Sequence, residues 1–411
     1  MMNRNHIYAV AIVLVAVAMQ GCRKESNELV NPNNVQCTTY VQQFETIWHG
    51  LDNGYVFWGR DTTDWDAAYA AMHPVFEAFD ANGRASYSEF QSAYRTLLAP
   101  LRDHHLTVYV KDIKSGSLVY VQPGSMEVTR RPGYHSTPYD EQIAALKKQS
   151  GITQLREWSG AAASCFALLP HKGSKKIAYL RLSSFSLLDL QQAVRYGQYP
   201  SSALDPVRSF YGTVCDGISS SSWANDNNVA GLIIDLRGNG GGNANELSPL
   251  FGSLAQEDVL WGYTRVKNGL GRLDYSPWAA FHIKCPADHL KTAKPVVVLV
   301  DMNSVSCSEI SAQTVKLLPH GTVIGERTWG GTCPLLPGQY NLLYSGVFGD
   351  QSLRSCSYYV YTSNFDLVNT EYESLEGIGV QPDIEVPFDN DALQNGVDTQ
   401  LDAALEYLRG L

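Results

Sequence analysis

Positive charge is scarce and scattered in this chain. Its 31 Lys and Arg residues are outnumbered by 41 Asp and Glu, leaving a formal net charge of −10, and no basic block stands out. A face that tracks phosphates needs clustered cations, so nucleic acid is excluded as an expected partner. Metal-binding cysteine patterns are also missing. Beyond Cys22 the cysteines fall at 37, 165, 215, 285, 307, 333 and 356, with no CxxC pair and no zinc-ligand spacing. Most are read as small buried hydrophobes, and Cys307 and Cys333 are expected to be free thiols. No internal repeat and no low-complexity tract occurs. With 44% hydrophobic and 18% charged residues, the composition calls for a buried core rather than extended disorder.

Long apolar runs are likewise few. Ile7–Met19 is shorter than the roughly 20 residues needed to span a bilayer. Arg4 and His6 precede it and Gly21-Cys22 follow it, which is the order of a secretory signal. A cysteine directly after a small residue resembles a bacterial lipobox, although Met19 and Gln20 depart from the usual residues there. The resemblance implies a signal peptide over 1–21, lipidation of Cys22 and a polar tether over 22–36. The expected location is then the bacterial cell envelope, periplasmic or outer-membrane associated, with membrane contact through the anchor alone. The plainer alternative is a cleaved signal with an incidental cysteine.

Residues 37–103 carry three helical patterns. Val41, Phe44, Ile47, Trp48 and Leu51 recur at three- and four-residue steps; Asp64 precedes a stripe from Trp65 to Phe79; Ser86 and Glu89 form a capping-box pattern before Phe90, Tyr94, Leu97 and Leu101. A small helical bundle is expected, with its aromatics as core. Residues 104–174 read as connecting strands (His105–Val110, Leu118–Val121) and a helix (Glu141–Lys148). From 175 to 411, strands at Ile177–Leu182, Gly231–Leu236, Val296–Val300 and Thr322–Ile324 alternate with helices at Glu246–Ala255 and Ser308–Leu318. Continuous apolar strands alternating with helices predict an α/β layer architecture.

Two segments carry chemistry. Ser306 lies where the strand Val296–Val300 gives way to a helix. A hydroxyl there projects from the sheet edge, and the free N–H groups of the first helical turn can stabilise a developing oxyanion. Ser306 with Glu309 also fits a purely structural capping box, and the Gly-x-Ser-x-Gly elbow is absent. The second segment, Gly231-Leu-Ile-Ile-Asp-Leu-Arg-Gly-Asn-Gly-Gly-Gly242, runs from a strand into a glycine-rich turn. It lacks the Gly-Lys-Ser/Thr ending of a phosphate loop. Consecutive glycines instead let backbone approach a substrate and present N–H groups in a concave nest.

Taken in order, Asp235-Leu-Arg-Gly-Asn-Gly-Gly-Gly242, Ser306-Cys-Ser-Glu309, Ile324-Gly-Glu-Arg-Thr-Trp-Gly-Gly331 and Glu376-Gly-Ile-Gly-Val-Gln-Pro-Asp383 resemble the C-terminal processing peptidase family, and the strand Ile177–Phe185 resembles its first core strand. The resemblance covers about residues 175–390. It implies a crotonase-like (ClpP/crotonase) spiral α/β core after an N-terminal helical bundle, and a serine peptidase acting on protein or peptide substrates without cofactor or metal. One subtype pairs serine with a lysine placed where this chain reads Trp329-Gly330-Gly331-Thr332, so that lysine is missing, and Lys316 reads as a solvated helix residue. The tricorn-like subtype uses an upstream His and a downstream Glu, and its segment resembles Arg327-Thr-Trp-Gly-Gly331. In Asp103-His104-His105 the family's Asp-x-His points to His105, which strand alternation would set apart from apolar Leu106 and Val108. Glu376 is the expected orienting acid, with Glu373 as fallback. The implied site is Ser306, His105 and Glu376, with oxyanion donors at Cys307 and at Gly240 or Gly241.

The 70 residues or so between Thr107 and Lys176 are short for the PDZ domain common in the family, so no complete one is expected. Two further readings remain: a catalytically inactive binder of peptides or apolar ligands on the same fold, and an esterase. Oligomeric state, substrate and disulfide pairing are not legible in the sequence.

Overall fold

A computed structural model describes residues 35–214, 228–269, 271–286, 294–334 and 346–411. The expected signal peptide, Cys22, most of the tether and Cys215 lie outside the described residues.

The three N-terminal patterns form helices at Tyr40–Gly54, Trp65–Ala81 and Tyr87–Leu98. Each begins on a side-chain cap, from Thr39, Asp64 and Ser86, and Glu89 completes a capping box in the third. Their apolar faces meet through aromatic rings: Phe44 stacks on Phe76 at 4.7 Å, and Trp48 lies parallel to Trp65 at 5.8 Å. Gln43 Nε2 donates to the Lys111 carbonyl (2.9 Å), and Tyr40 OH donates to Asp112 Oδ1 (3.0 Å), which fastens the first helix to the strand beneath it.

Fourteen strands follow among the described residues: β1 Thr107–Lys111, β2 Leu118–Val121, β3 Thr153–Trp158, β4 Ser164–Pro170, β5 Lys176–Leu182, β6 Val229–Asp235, β7 Val259–Val266, β8 Ala279–Ile283, β9 Val296–Val300, β10 Gly321–Gly325, β11 Phe348–Gly349, β12 Tyr358–Tyr361, β13 Phe365–Val368 and β14 Ile384–Glu385. They build a four-stranded sheet (β11-β12-β1-β2), a seven-stranded sheet (β14-β10-β9-β6-β5-β4-β3) and a three-stranded sheet (β13-β7-β8). The fold is mixed α/β. In the large sheet β14, β10, β9, β6 and β5 run parallel, β4 adds antiparallel to β5, and β3 adds antiparallel to β4. The sheet therefore starts upstream of residue 175, the expected edge of the core.

Burial of both faces explains why its central strands are continuously apolar. Leu232, Ile234, Val296, Val298 and Val300 face one cluster. Ile233, Val297 and Leu299 face another, completed by Leu401, Leu405 and Leu408 of the last helix, Thr399–Gly410. Because β6, β9 and β10 are parallel neighbours, the loops after their carboxyl ends emerge side by side. Those loops are the glycine turn after Asp235, the Ser306 junction after Val300 and the segment Glu326–Gly331, at the edge where α/β sheets hold ligands.

Candidate active site

Ser306 precedes the helix Cys307–Lys316 with φ 60° and ψ −118°. A positive φ is uncommon for a residue with a side chain, and it departs from the extended backbone of an ordinary N-cap. Such strain persists only where surrounding bonds over-determine it. Here they come largely from Glu309, which is fully buried. Its Oε2 accepts from Ser306 N–H (3.0 Å) and Gly331 N–H (2.7 Å), and its Oε1 accepts from Gly330 N–H (2.7 Å) and Thr328 Oγ1–H (2.6 Å). Burial pushes the Glu309 carboxyl above its usual range against those four donors. The reciprocal bond of a capping box is thus present, and it ties the serine to the next loop.

The glycine turn is pinned to the same junction by Asn239. Its carbonyl accepts from Val305 N–H (3.0 Å) and Ser308 Oγ–H (2.8 Å), and its Nδ2 donates to the Leu182 carbonyl (2.9 Å). Gly241 has φ +90°, and a methyl group there would meet Ser306 Cβ at 2.6 Å and Cys307 N at 3.1 Å, so only glycine allows this approach. Gly241 N–H donates to Asn239 Oδ1 (2.8 Å), whereas no protein acceptor engages Cys307 N–H or Gly240 N–H among the described residues. Of the expected oxyanion donors, Gly241 is therefore already engaged. Beneath the turn, Asp235 takes two bonds from the Arg237 guanidinium and one from its backbone N–H, and the guanidinium also grips Asp398 through 2.8 Å contacts. Burial acts to raise the Asp235 carboxyl, but Arg181 and Arg237 win and hold it well below the usual carboxylate range.

His104 and His105 lie in a turn, and β1 begins only at Thr107, so strand alternation does not set their directions. Hydrogen bonds do. His104 is buried, with Nδ1 3.1 Å from the Trp329 carbonyl and Nε2 3.1 Å from Glu127 Oε2. Arg131 reaches the same loop, donating to the carbonyls of Thr328 (2.7 Å) and Trp329 (2.8 Å). The His105 ring is half-buried, and its Nδ1 is buried without a hydrogen-bond partner. A methyl at Gly331 would lie 3.3 Å from His105 Cε1 and 3.2 Å from Val305 Cγ1, which sets this imidazole beside the Ser306 junction. Burial holds the His105 pKa below 6.5, with the Asp103 carboxylate opposing.

Asp103 was missed as an organiser, although it stands in the Asp-x-His pattern. Its carboxylate accepts from the N–H groups of His105 (2.8 Å), Leu106 (3.1 Å) and Ser363 (2.8 Å) and from Thr362 Oγ1–H (2.6 Å). Glu376 is buried and accepts from His104, Thr332 and Cys333 N–H, each at 2.8 Å. Burial and the Asp103 charge push its carboxyl well above the usual range against those donors. None of its hydrogen bonds goes to the His105 ring. Asp103, His105 and Glu376 nevertheless each present an atom within 4.8 Å of the others. These are the residues that could hold a cation, but backbone donors already occupy most of both carboxylates, which suits an imidazole lying between two acids. Glu373 is exposed and bonded to Asn369. Lys316 pairs with Asp383 at 2.6 Å. Among the described residues the six cysteines are free thiols, Cys307 and Cys333 included.

Known proteins share parts of this sequence and its fold. The chain is 29% identical over 176 residues to the tricorn protease homolog of Saccharolobus solfataricus and 30% identical over 175 residues to tricorn protease homolog 1 of Streptomyces coelicolor. Each match spans 43% of this chain and 14% of the relative, so the chain corresponds to a small part of those proteins. A solved structure from Parabacteroides merdae shares the fold with a TM-score of 0.63 at 21% identity, covering 90% of this chain and 97% of that one. Mature CPAF complexed with lactacystin superposes with a TM-score of 0.56 at 13% identity, covering 91% and 98%. The model of peptidase family S41 matches residues 176–386, just over half of the chain, including the glycine turn, the Ser306 junction and Glu376 but not the turn of Asp103 and His105, and this chain belongs to peptidase family S41.

Proposed function

We propose that this protein is a tricorn-like serine endopeptidase that cleaves extracytoplasmic proteins or peptides through an acyl-enzyme on Ser306. One observation carries the reading: a strained serine at a helix N-terminus is clamped by Glu309 to the loop whose Gly331 abuts the His105 imidazole. His105, kept neutral near pH 7 by its lowered pKa, takes the Ser306 proton as the hydroxyl attacks the scissile carbonyl, then returns it to the leaving amine. Asp103 and Glu376 stabilise the imidazolium formed between them. Glu376 comes within hydrogen-bond reach of the ring only when substrate is bound, as catalytic contacts often tighten from an unliganded state. The oxyanion binds the N–H groups of Cys307 and Gly240, each worth about 2.7–4 kcal/mol of barrier.

The parallel order of β10, β9, β6 and β5 supports a crotonase-like spiral core, and helices 40–98 its N-terminal bundle. The signal-like N-terminus supports export and anchoring through Cys22; among the described residues no helix is long and apolar enough to cross a membrane. Cleavage of an unfolded protein by the purified chain tests the proposal. Fragments should appear with wild type and vanish with Ser306→Ala and His105→Ala; undiminished cleavage by either variant would sink it.

A further inference from the structure

The solvent side of the four-stranded sheet is a strip of tyrosines. β1 alternates buried Val108 and Val110 with Thr107, Tyr109 and Lys111; β2 alternates buried Val119 and Val121 with Leu118 and Tyr120; β12 alternates buried Tyr358 and Val360 with Tyr359 and Tyr361. The register sets Tyr120 opposite Tyr109, Tyr109 opposite Tyr359, and Thr107 opposite Tyr361. Ring centroids along the row are 5.1 and 6.1 Å apart. Leu118 is 47% and Tyr120 44% exposed, Tyr109, Tyr359 and Tyr361 are half-buried and Thr107 is buried, so the strip is most open at its β2 edge. Contiguous apolar surface of this kind marks an interaction site.

The strip begins at the candidate active site. Thr107 Oγ1 donates to the His105 carbonyl (3.1 Å), and Thr362, next to Tyr361, donates to Asp103 (2.6 Å). We propose that this tyrosine face is an exosite that holds an extended stretch of substrate polypeptide, rich in aromatic and aliphatic side chains, as it leaves the cleft. The proposal rests on the peptidase reading. An extended chain repeats its side-chain direction every two residues, about 6.4–6.8 Å, which matches the spacing of Tyr359 and Tyr361 and of Thr107, Tyr109 and Lys111 along their strands. Tyrosine offers wide apolar contact at little conformational cost, and its hydroxyl adds a polar handle, which on Tyr120 donates to Gln122 Oε1 (2.6 Å). The phenols themselves stay uncharged: burial raises those of Tyr120 and Tyr359 and pushes that of Tyr361 up to about 12.

The test compares the full chain with its Tyr109→Ala/Tyr120→Ala variant on two substrates, an unfolded protein and a short nitrophenyl ester confined to the cleft. At least a tenfold fall in kcat/KM for the protein, mainly through KM, is expected, with ester turnover within twofold and Tyr109→Phe/Tyr120→Phe close to wild type. Unchanged protein cleavage, or an equal fall on both substrates, overturns the exosite. Tyr120→Ala alone gives the same readout if the double variant does not fold. If wild type turns over neither substrate, the peptidase reading has failed, and anisotropy of a fluorescent apolar peptide against Ser306→Ala, with and without the tyrosine changes, still decides the face. Binding of polysaccharide in preference to that peptide overturns it.

Discussion

Replacing Glu309 by Gln changes one atom at the centre of the site, and its cost follows from the bonds. Each Glu309 oxygen accepts two donors: Oε1 from Gly330 N–H and Thr328 Oγ1–H, Oε2 from Ser306 N–H and Gly331 N–H. An amide brings one accepting oxygen and one donating NH2. With NH2 in the place of Oε2, two buried backbone N–H groups would face a donor. With NH2 in the place of Oε1, Gly330 N–H is the one backbone donor orphaned; Thr328 Oγ1, which already accepts from Val380 N–H (2.7 Å), can accept from the amide on its second lone pair, although its own hydroxyl proton loses the Glu309 oxygen. The second orientation wins. One orphaned buried donor costs about 1–3 kcal/mol, and exchanging a charged for a neutral acceptor adds about 1 kcal/mol. Glu309→Gln is therefore expected to lose about 2–4 kcal/mol by denaturant unfolding. Turnover should fall at least tenfold, because the unpaired Gly330 N–H loosens the loop whose next residue, Gly331, abuts His105. A variant with wild-type stability and wild-type turnover would refute the clamp.

Ser306→Gly should abolish turnover yet raise stability by about 1 kcal/mol, since glycine adopts φ 60° without strain; denaturant unfolding reads it, and a loss of stability contradicts the strained backbone. Gly241→Ala places a methyl 2.6 Å from Ser306 Cβ and must displace the glycine turn from the junction. A drop of about 10²–10³ in kcat is expected, the size of losing one oxyanion donor, with KM little changed. In the pH profile, kcat/KM should rise with pH through a midpoint below 6.5, because burial depresses the His105 pKa and only the neutral ring accepts a proton; a midpoint above 6.5 contradicts that assignment. The same depression makes the unfolded chain bind more protons just below pH 6.5, so His105 contributes stability that is lost as pH falls through that window.

What was legible in the sequence was local. Val296–Val300 and Leu118–Val121 form the strands their apolar runs predict, and the serine falls at the strand-to-helix junction. β3 was not legible because its residues are largely exposed and show no alternation, and β4 because it is buried on both faces without a helix beside it in sequence. The last helix gains its role only from the sheet face it covers. At the site, residue types were readable but partners were not. Glu376 reaches His104 N–H across 272 positions, and Glu309, which looked like half of a helix cap, joins two loops. The Asp-x-His resemblance points to His105, but the strand alternation offered in its support does not hold, since both histidines lie in a turn. What distinguishes them is that both His104 ring nitrogens are engaged while His105 Nδ1 is not.

The most direct test is the site and rate of covalent labelling by a fluorophosphonate, followed by mass spectrometry of the digested protein. The account predicts one adduct, on Ser306, formed at least a hundredfold more slowly in His105→Ala and unaffected by Lys316→Ala. An adduct on another residue, or a rate indifferent to His105, would contradict it.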